Sequence, residues 1–203
     1  MLDRHLRPII DRSLARLAQR LADRGVGADM LTGAGLATGL LAAVCVGIGW
    51  FSAALVLGLL SRLLDGLDGA VARLTRPGPL GGYLDILADF TFYAALPFGF
   101  AVFDPMGNAL PAAALLASFF VNAASFLGFA ILAEQYGQKT DVNGKKSHFH
   151  ATGLIEGTET IAFFTLCLLW PNLFAWLAPV FAVLTLWTVF RRTCIAWNAF
   201  HDH

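Results

Sequence analysis

The sequence predicts an all-α integral membrane protein, with six transmembrane helices preceded by an amphipathic interfacial helix. Three observations carry that expectation. Of 203 residues, 57% are hydrophobic and 14% are charged, a balance far more apolar than a soluble domain of this length shows. Apolar segments close to 20 residues long follow one another, as a hydrocarbon core about 30 Å thick requires of a helix. The segments also lack the period-two alternation of a membrane barrel, and open strands in lipid would leave backbone groups unpaired, so helices are the form expected.

The elements follow in order. Residues 1–24 place Leu2, Leu6, Ile9, Ile10, Leu14, Leu17 and Leu21 at helical spacing, while Arg4, Arg7, Arg12, Arg16, Arg20 and Arg24 outnumber Asp3, Asp11 and Asp23. This reads as an amphipathic helix lying on an anionic membrane surface, a reading compatible with a seat on the protein's own body. Residues 25–203 form the transmembrane domain. Its six spans are expected near 30–50, 52–73, 81–103, 109–134, 151–170 and 173–196, divided by the breaks GW, RPGP, DPMGN and WPN and by a polar loop over 135–150. No cleavable leader is recognisable in the first two dozen residues, so the first span is expected to act as the insertion signal. Cys45, Cys167 and Cys194 lie far apart in apolar surroundings and read as small buried hydrophobes.

Charge placement orients the bundle. The 14 basic and 14 acidic residues balance, so no global field points to nucleic acid as a partner. With the arginine-rich amino terminus in the cytoplasm, six crossings put Arg76, Lys139, Lys145, Lys146, Arg191 and Arg192 on that side, as the positive-inside tendency demands. The opposite loops carry only Asp104, and no charged residue occurs between Asp29 and Arg62 or between Glu159 and Arg191. The far half of the bundle is therefore apolar, and the chemistry is expected to face the cytoplasm.

That chemistry centres on DGLDGAVARLTRPGPLGGYLDILAD, residues 65–89. Four aspartates within membrane spans would burden insertion by about 10 kcal/mol unless cations neutralise them. On helices, Asp65 and Asp68 lie about 60° apart and Asp85 and Asp89 about 40° apart, so each helix offers a carboxylate face. The short turn between them makes the two helices expected antiparallel neighbours with those faces opposed. Four facing carboxylates suit two hard divalent ions, Mg²⁺ or Mn²⁺, since oxygen-only ligation disfavours zinc. Gly69 and Ala72 leave room beside the carboxylates for a diphosphate or a planar base, although small residues also serve tight helix packing, the role that Gly35 and Gly39 fit better. Arg62 and Arg73 can neutralise aspartates, and a guanidinium is also a natural phosphate clamp; Arg73 is the one read that way.

The run Asp65, Asp68, Gly69, Ala72, Arg73, Gly81, Asp85, Asp89 resembles the signature of the CDP-alcohol phosphotransferases, DxxDGxxAR, about eight residues, then GxxxDxxxD. All eight positions match; seven residues rather than eight separate Arg73 from Gly81, so Gly82 is a second candidate for part of that glycine's role. The six spans and the amphipathic amino-terminal helix are also similar to the family's architecture, most of all to small bacterial inner-membrane members. The resemblance implies a multi-pass protein of the bacterial inner (cytoplasmic) membrane. It further implies an enzyme of phospholipid biosynthesis that moves a substituted phosphate from a CDP-alcohol, most often CDP-diacylglycerol, to an alcohol acceptor with release of CMP. By that carry-over Asp65, Asp68, Asp85 and Asp89 hold two metal ions, and Asp89 is also the general base. Asp65, Gly69, Ala72, Arg73, Gly81 and Asp85 bind the CDP moiety. A homodimer is implied as well, which the small-residue faces permit.

The acceptor pocket is expected on the later helices, where Lys146, Glu156, Glu159 and Arg191 are the candidates. Glu156 and Glu159 stand one helical turn apart and could orient an acceptor or be neutralised across the bundle. Arg191 and Arg192 could anchor a helix end or clamp a phosphorylated acceptor. Asn122 and Ser125 read as interhelical hydrogen-bond partners. His148, His150, His201 and His203 lack the spacing of a transition-metal site. The rival class is a small ion-coupled transporter, since intramembrane aspartates also line ion pathways; the charge-free far half argues against it.

Overall fold

A computed structural model describes residues 14–75, 78–135, 155 and 157–200. Every regular element among them is helical: α1 over residues 14–23, α2 Ala28–Gly47, α3 Phe51–Leu74, α4 Pro79–Phe103, α5 Pro105–Gln135, α6 Gly157–Leu169, a 3₁₀ turn Pro171–Leu173, and α7 Phe174–Phe200. Gly25 and Gly49, with φ of +76° and +80°, make the left-handed turns that separate α1, α2 and α3. The start of α5 lies earlier than the DPMGN break suggests. Asp104 accepts a bond from the Gly107 amide at 3.1 Å and Pro105 follows it, so that run is an N-cap and a first turn rather than a loop.

Four described helical stretches are long and apolar enough to cross a membrane: Ala28–Gly47, Pro79–Phe103, Pro105–Gln135 and Pro171–Phe200. The other two expected spans do not reach that standard on their own. α3 carries Arg62, Asp65, Asp68 and Arg73, and α6 is described for only 13 residues. The proline residues Pro97, Pro111 and Pro179 sit inside helices, as membrane helices tolerate. Large apolar side chains such as Leu110, Phe120, Val183 and Trp187 face outward, the surface that lipid contact requires.

Packing departs from the expected pairing of α3 with α4. α2 is the close neighbour of both, α5 packs on α4 and α7, and α6 on α3. The reason is side-chain size. At Gly39 a Cβ would stand 2.7 Å from the Phe92 ring of α4 and 2.9 Å from Ser61 Oγ of α3, and Gly35 lies against the Ser61 carbonyl. Small residues let α2 nestle between the two acidic helices, whose own facing side chains are long and charged. Beneath them runs an apolar core in which Phe100 stacks on Phe174, with ring centroids 4.1 Å apart.

The described part of α1 seats Leu14 and Ala18 on Leu31, Leu67, Ala70 and Val71. One face of this helix therefore packs on the protein. Leu17 stays exposed.

Candidate active site at the carboxylate end of the bundle

Arg62 organises the site. It lies one turn before Asp65 on α3, and its side chain is only 8% exposed. Nη1 donates to Asp89 Oδ1 at 2.5 Å and stands 3.6 Å from Asp65 Oδ1, so carboxylates from α4 and α3 converge on one nitrogen. Nη2 donates to Ser61 Oγ at 3.2 Å, and Ser61 in turn donates to the Gly35 carbonyl at 2.7 Å. The guanidinium lies 4.0 Å over the Phe92 ring, a cation–π seat strengthened by desolvation. Its Nε is buried without a hydrogen-bond partner.

Asp68 is held separately. The Thr32 hydroxyl of α2 donates to its Oδ2 at 2.6 Å, and the side chain is almost wholly buried. Asp85 lies within electrostatic reach of Asp68 and Asp89, and Asp65 of Asp89 and Asp85. The four aspartates thus form one charge cluster spanning α3 and α4. Their donor set is oxygen only and strongly anionic, which fits hard divalent cations. Among the described residues, however, no three His, Cys, Asp or Glu side chains converge as a ready metal-ligand group. Arg62 and Thr32 engage the carboxylates instead.

The small residues of the motif differ in their surroundings. A Cβ at Gly69 would meet only Arg73 Nη1, at 3.6 Å, whereas Gly35 and Gly39 abut backbone and rings. Gly69 therefore borders space, and Ala72, half-buried, follows it one turn later. Arg73 is exposed at the end of α3. Gly81 lies in the first turn of α4 rather than in the loop, and a Cβ there would stand 3.4 Å from Asp29 Oδ1; Gly82 meets nothing within 4 Å. The one-residue shortening of the motif lies between Arg73, near the end of α3, and Gly81, in the first turn of α4.

At the acceptor candidates, Lys146 and Glu156 lie outside the described residues, as do His148, His150, His201 and His203. Glu159 is half-buried in the first turn of α6. Arg191 is exposed, and it is Arg192 that turns inward. Arg192 Nη1 donates to Asn122 Oδ1 at 3.0 Å and lies 3.2 Å from the Asn122 carbonyl oxygen. With Ser125, Phe129 and Thr193 it lines an open cleft of about 210 Å³ between α5 and α7. Asn122 is the interhelical partner expected from the sequence, joined here to an arginine. Cys167 is buried as expected and Cys45 partly so, but Cys194 is exposed.

Sequence reasoning passed over Tyr93, whose ring lies 5.7 Å from the Arg62 guanidinium and whose hydroxyl stands 4.0 Å from a Cβ built on Gly157. It links the aspartate cluster to the start of α6, next to Glu159. The only signal available was its position one turn beyond Asp89 on the same helical face.

The sequence profile of the CDP-alcohol phosphatidyltransferases matches residues 26–190, which hold all four aspartates. The chain belongs to the CDP-alcohol phosphatidyltransferase family. Among curated relatives it is 45% identical over 200 residues to the inner membrane protein YnjF of Escherichia coli (strain K12), with 98% of this chain and 96% of that one covered. Its fold is similar to that of Mycobacterium tuberculosis phosphatidylinositol phosphate synthase (PgsA1) with CDP-DAG bound, at TM-score 0.67 and 20% identity, covering 92% of this chain and 94% of that one. The same synthase in complex with manganese and citrate matches at TM-score 0.66 and 21% identity over 91% and 89% of the two chains. The family match runs across α2 to α6 and most of α7 and ends just before Arg191 and Arg192.

Proposed function

We propose that the protein transfers a phosphatidyl group from CDP-diacylglycerol to an alcohol acceptor, releasing CMP, in phospholipid synthesis at the cytoplasmic face of a bacterial inner membrane. The observation that carries this reading is the meeting of Asp65 and Asp89 on one nitrogen, with Asp68 and Asp85 in electrostatic reach and open space at Gly69. The PgsA1 structures contain CDP-DAG in one case and manganese in another, which supports both the donor and a divalent-ion requirement.

In this scheme α3 and α6 complete a set of six crossings behind an interfacial helix over residues 1–24, and residues 25–203 are the catalytic body. Asp65, Asp68, Asp85 and Asp89 would hold two Mg²⁺ or Mn²⁺ ions, whose charge offsets that of the diphosphate and the departing nucleotide. Gly69, Ala72 and Gly81 leave the nucleotide room, and Arg73 stands at the exposed end where a phosphate arrives. Asp89 takes the proton from the acceptor hydroxyl. The acceptor oxygen forms a new bond to the phosphorus that carries the diacylglycerol, and the anhydride bond to CMP breaks with its electron pair leaving on CMP. No covalent bond to the protein is required.

Glu159, one step from Tyr93, and Arg192 in its cleft are the acceptor contacts, with Lys146 and Glu156 as further candidates. Arg191 stays a candidate beside Arg192; the buried guanidinium of Arg192 is the one favoured to hold an anionic group, since an exposed one is shared with water. The small-residue helix faces permit pairing of two copies. The test is CMP release from CDP-diacylglycerol by purified protein against a panel of alcohols with Mg²⁺ or Mn²⁺. Release that needs an acceptor and a divalent ion supports the assignment; a protein inert with every acceptor, or one equally active as Asp89→Asn, refutes it.

A further inference from the structure

The carboxylate cluster contains a cation of its own. Arg62 Nη1 touches Asp89 Oδ1 and lies 3.6 Å from Asp65 Oδ1, so it sits between carboxylates of two different helices. That is a bridging position, the kind a divalent ion takes between such ligands. Two features indicate that the guanidinium is not at rest there. Its Nε is buried with no acceptor, an arrangement that a settled buried arginine avoids. Its other anchors do not depend on Nη1: Nη2 bonds Ser61 Oγ and the planar group rests on the Phe92 face. Releasing the carboxylates would thus leave the side chain seated on Ser61 and Phe92.

Resting on the divalent-ion reading above, we propose that Arg62 is a built-in counter-cation, which holds Asp65 and Asp89 together in the metal-free protein and must give up Nη1 when a divalent ion binds. Arg62 is a positioning residue in this scheme. It keeps a cluster of like charges assembled inside the membrane, and the same attraction competes with the incoming ion, so ion affinity is set by an exchange rather than by the carboxylates alone.

The experiment uses the full chain purified in detergent with Mn²⁺ alone as probe, without substrate. Free Mn²⁺ is counted by its electron paramagnetic resonance signal, and thermal unfolding is followed in parallel. Arg62→Gln is expected to bind Mn²⁺ roughly tenfold more tightly than wild type, because one competing unit charge is gone from the bridging place, and to unfold at a lower temperature than wild type before metal is added. Phe92→Leu removes the ring that seats the guanidinium and is expected to shift affinity the same way by about two- to threefold; it keeps the test open should Arg62→Gln not fold. A wild type that binds Mn²⁺ alongside variants that bind it equally or more weakly overturns this proposal and leaves the transfer reading intact. Absence of Mn²⁺ binding in all three proteins overturns both. A residue that merely braced the helices would lower stability without raising ion affinity.

Discussion

The two ends of α3 and α4 are built from the same kind of apolar helix and serve opposite purposes. At the far end Ala54, Leu96 and Phe100 are fully buried, and Phe51 meets Phe103 edge-on at 4.8 Å. No charged side chain enters that core, which Phe174 closes from α7; Asp104 lies at its edge as the cap of α4. At the near end the helices present half-buried Asp65, Asp85 and Asp89 beside buried Asp68 and the nearly buried Arg62 side chain, held by a few polar bonds. The far end spends its side chains on packing. The near end commits its side chains to charge: Arg62 joins carboxylates of both helices, and Gly82 beside them meets nothing within 4 Å. Stability and activity are therefore expected to separate along the length of one helix pair.

Asp89→Asn tests that separation most sharply: CMP release should fall about a thousandfold, the scale of a lost general base, while thermal unfolding in detergent changes little. A large stability loss with it would mean that the near end also braces the fold. Phe174→Ala is the mirror case. Loss of a fully buried ring stacked on Phe100 should lower unfolding stability by about 3–5 kcal/mol, with the activity of the remaining folded protein preserved. Gly99→Ala follows, because its new Cβ would stand 2.6 Å from the Ala43 carbonyl oxygen; an overpacked α2–α4 contact should cost about 1–3 kcal/mol in the same measurement.

Two smaller effects probe the polar end. Arg192→Ala should raise the acceptor KM about tenfold when the acceptor is anionic, whereas exposed Arg191→Ala should stay within about twofold of wild type; the reverse order would return the acceptor role to Arg191. Thr32→Val removes the only described hydroxyl bonded to Asp68 and should weaken divalent-ion dependence by a few-fold, about 1 kcal/mol in ion binding. Titration of activity with Mg²⁺ checks it.

The membrane class, the approximate ends of the spans and the four aspartates were legible in the chain, because hydropathy, helical periodicity and a motif of fixed spacing are local properties. The N-cap at Asp104 was missed, because DPMGN was read as a break although Asp followed by Pro is a helix-start signal. Which helix packs on which was not legible. The insertion of α2 between α3 and α4 depends on Gly35 and Gly39 meeting Ser61 and Phe92, contacts between residues far apart in sequence. The partner of Asp89 was likewise hidden, 27 positions away at Arg62. Arg191 and Arg192 could not be told apart by composition, since a step of about 100° per residue sends adjacent side chains to different faces and only the docked neighbours decide which face is inside. Sequence alone determined the family, the helical membrane class and the position of the acidic motif; the tertiary structure decided which charges meet, because electrostatic and packing partners are set by helix rotation and approach, and a linear pattern records neither.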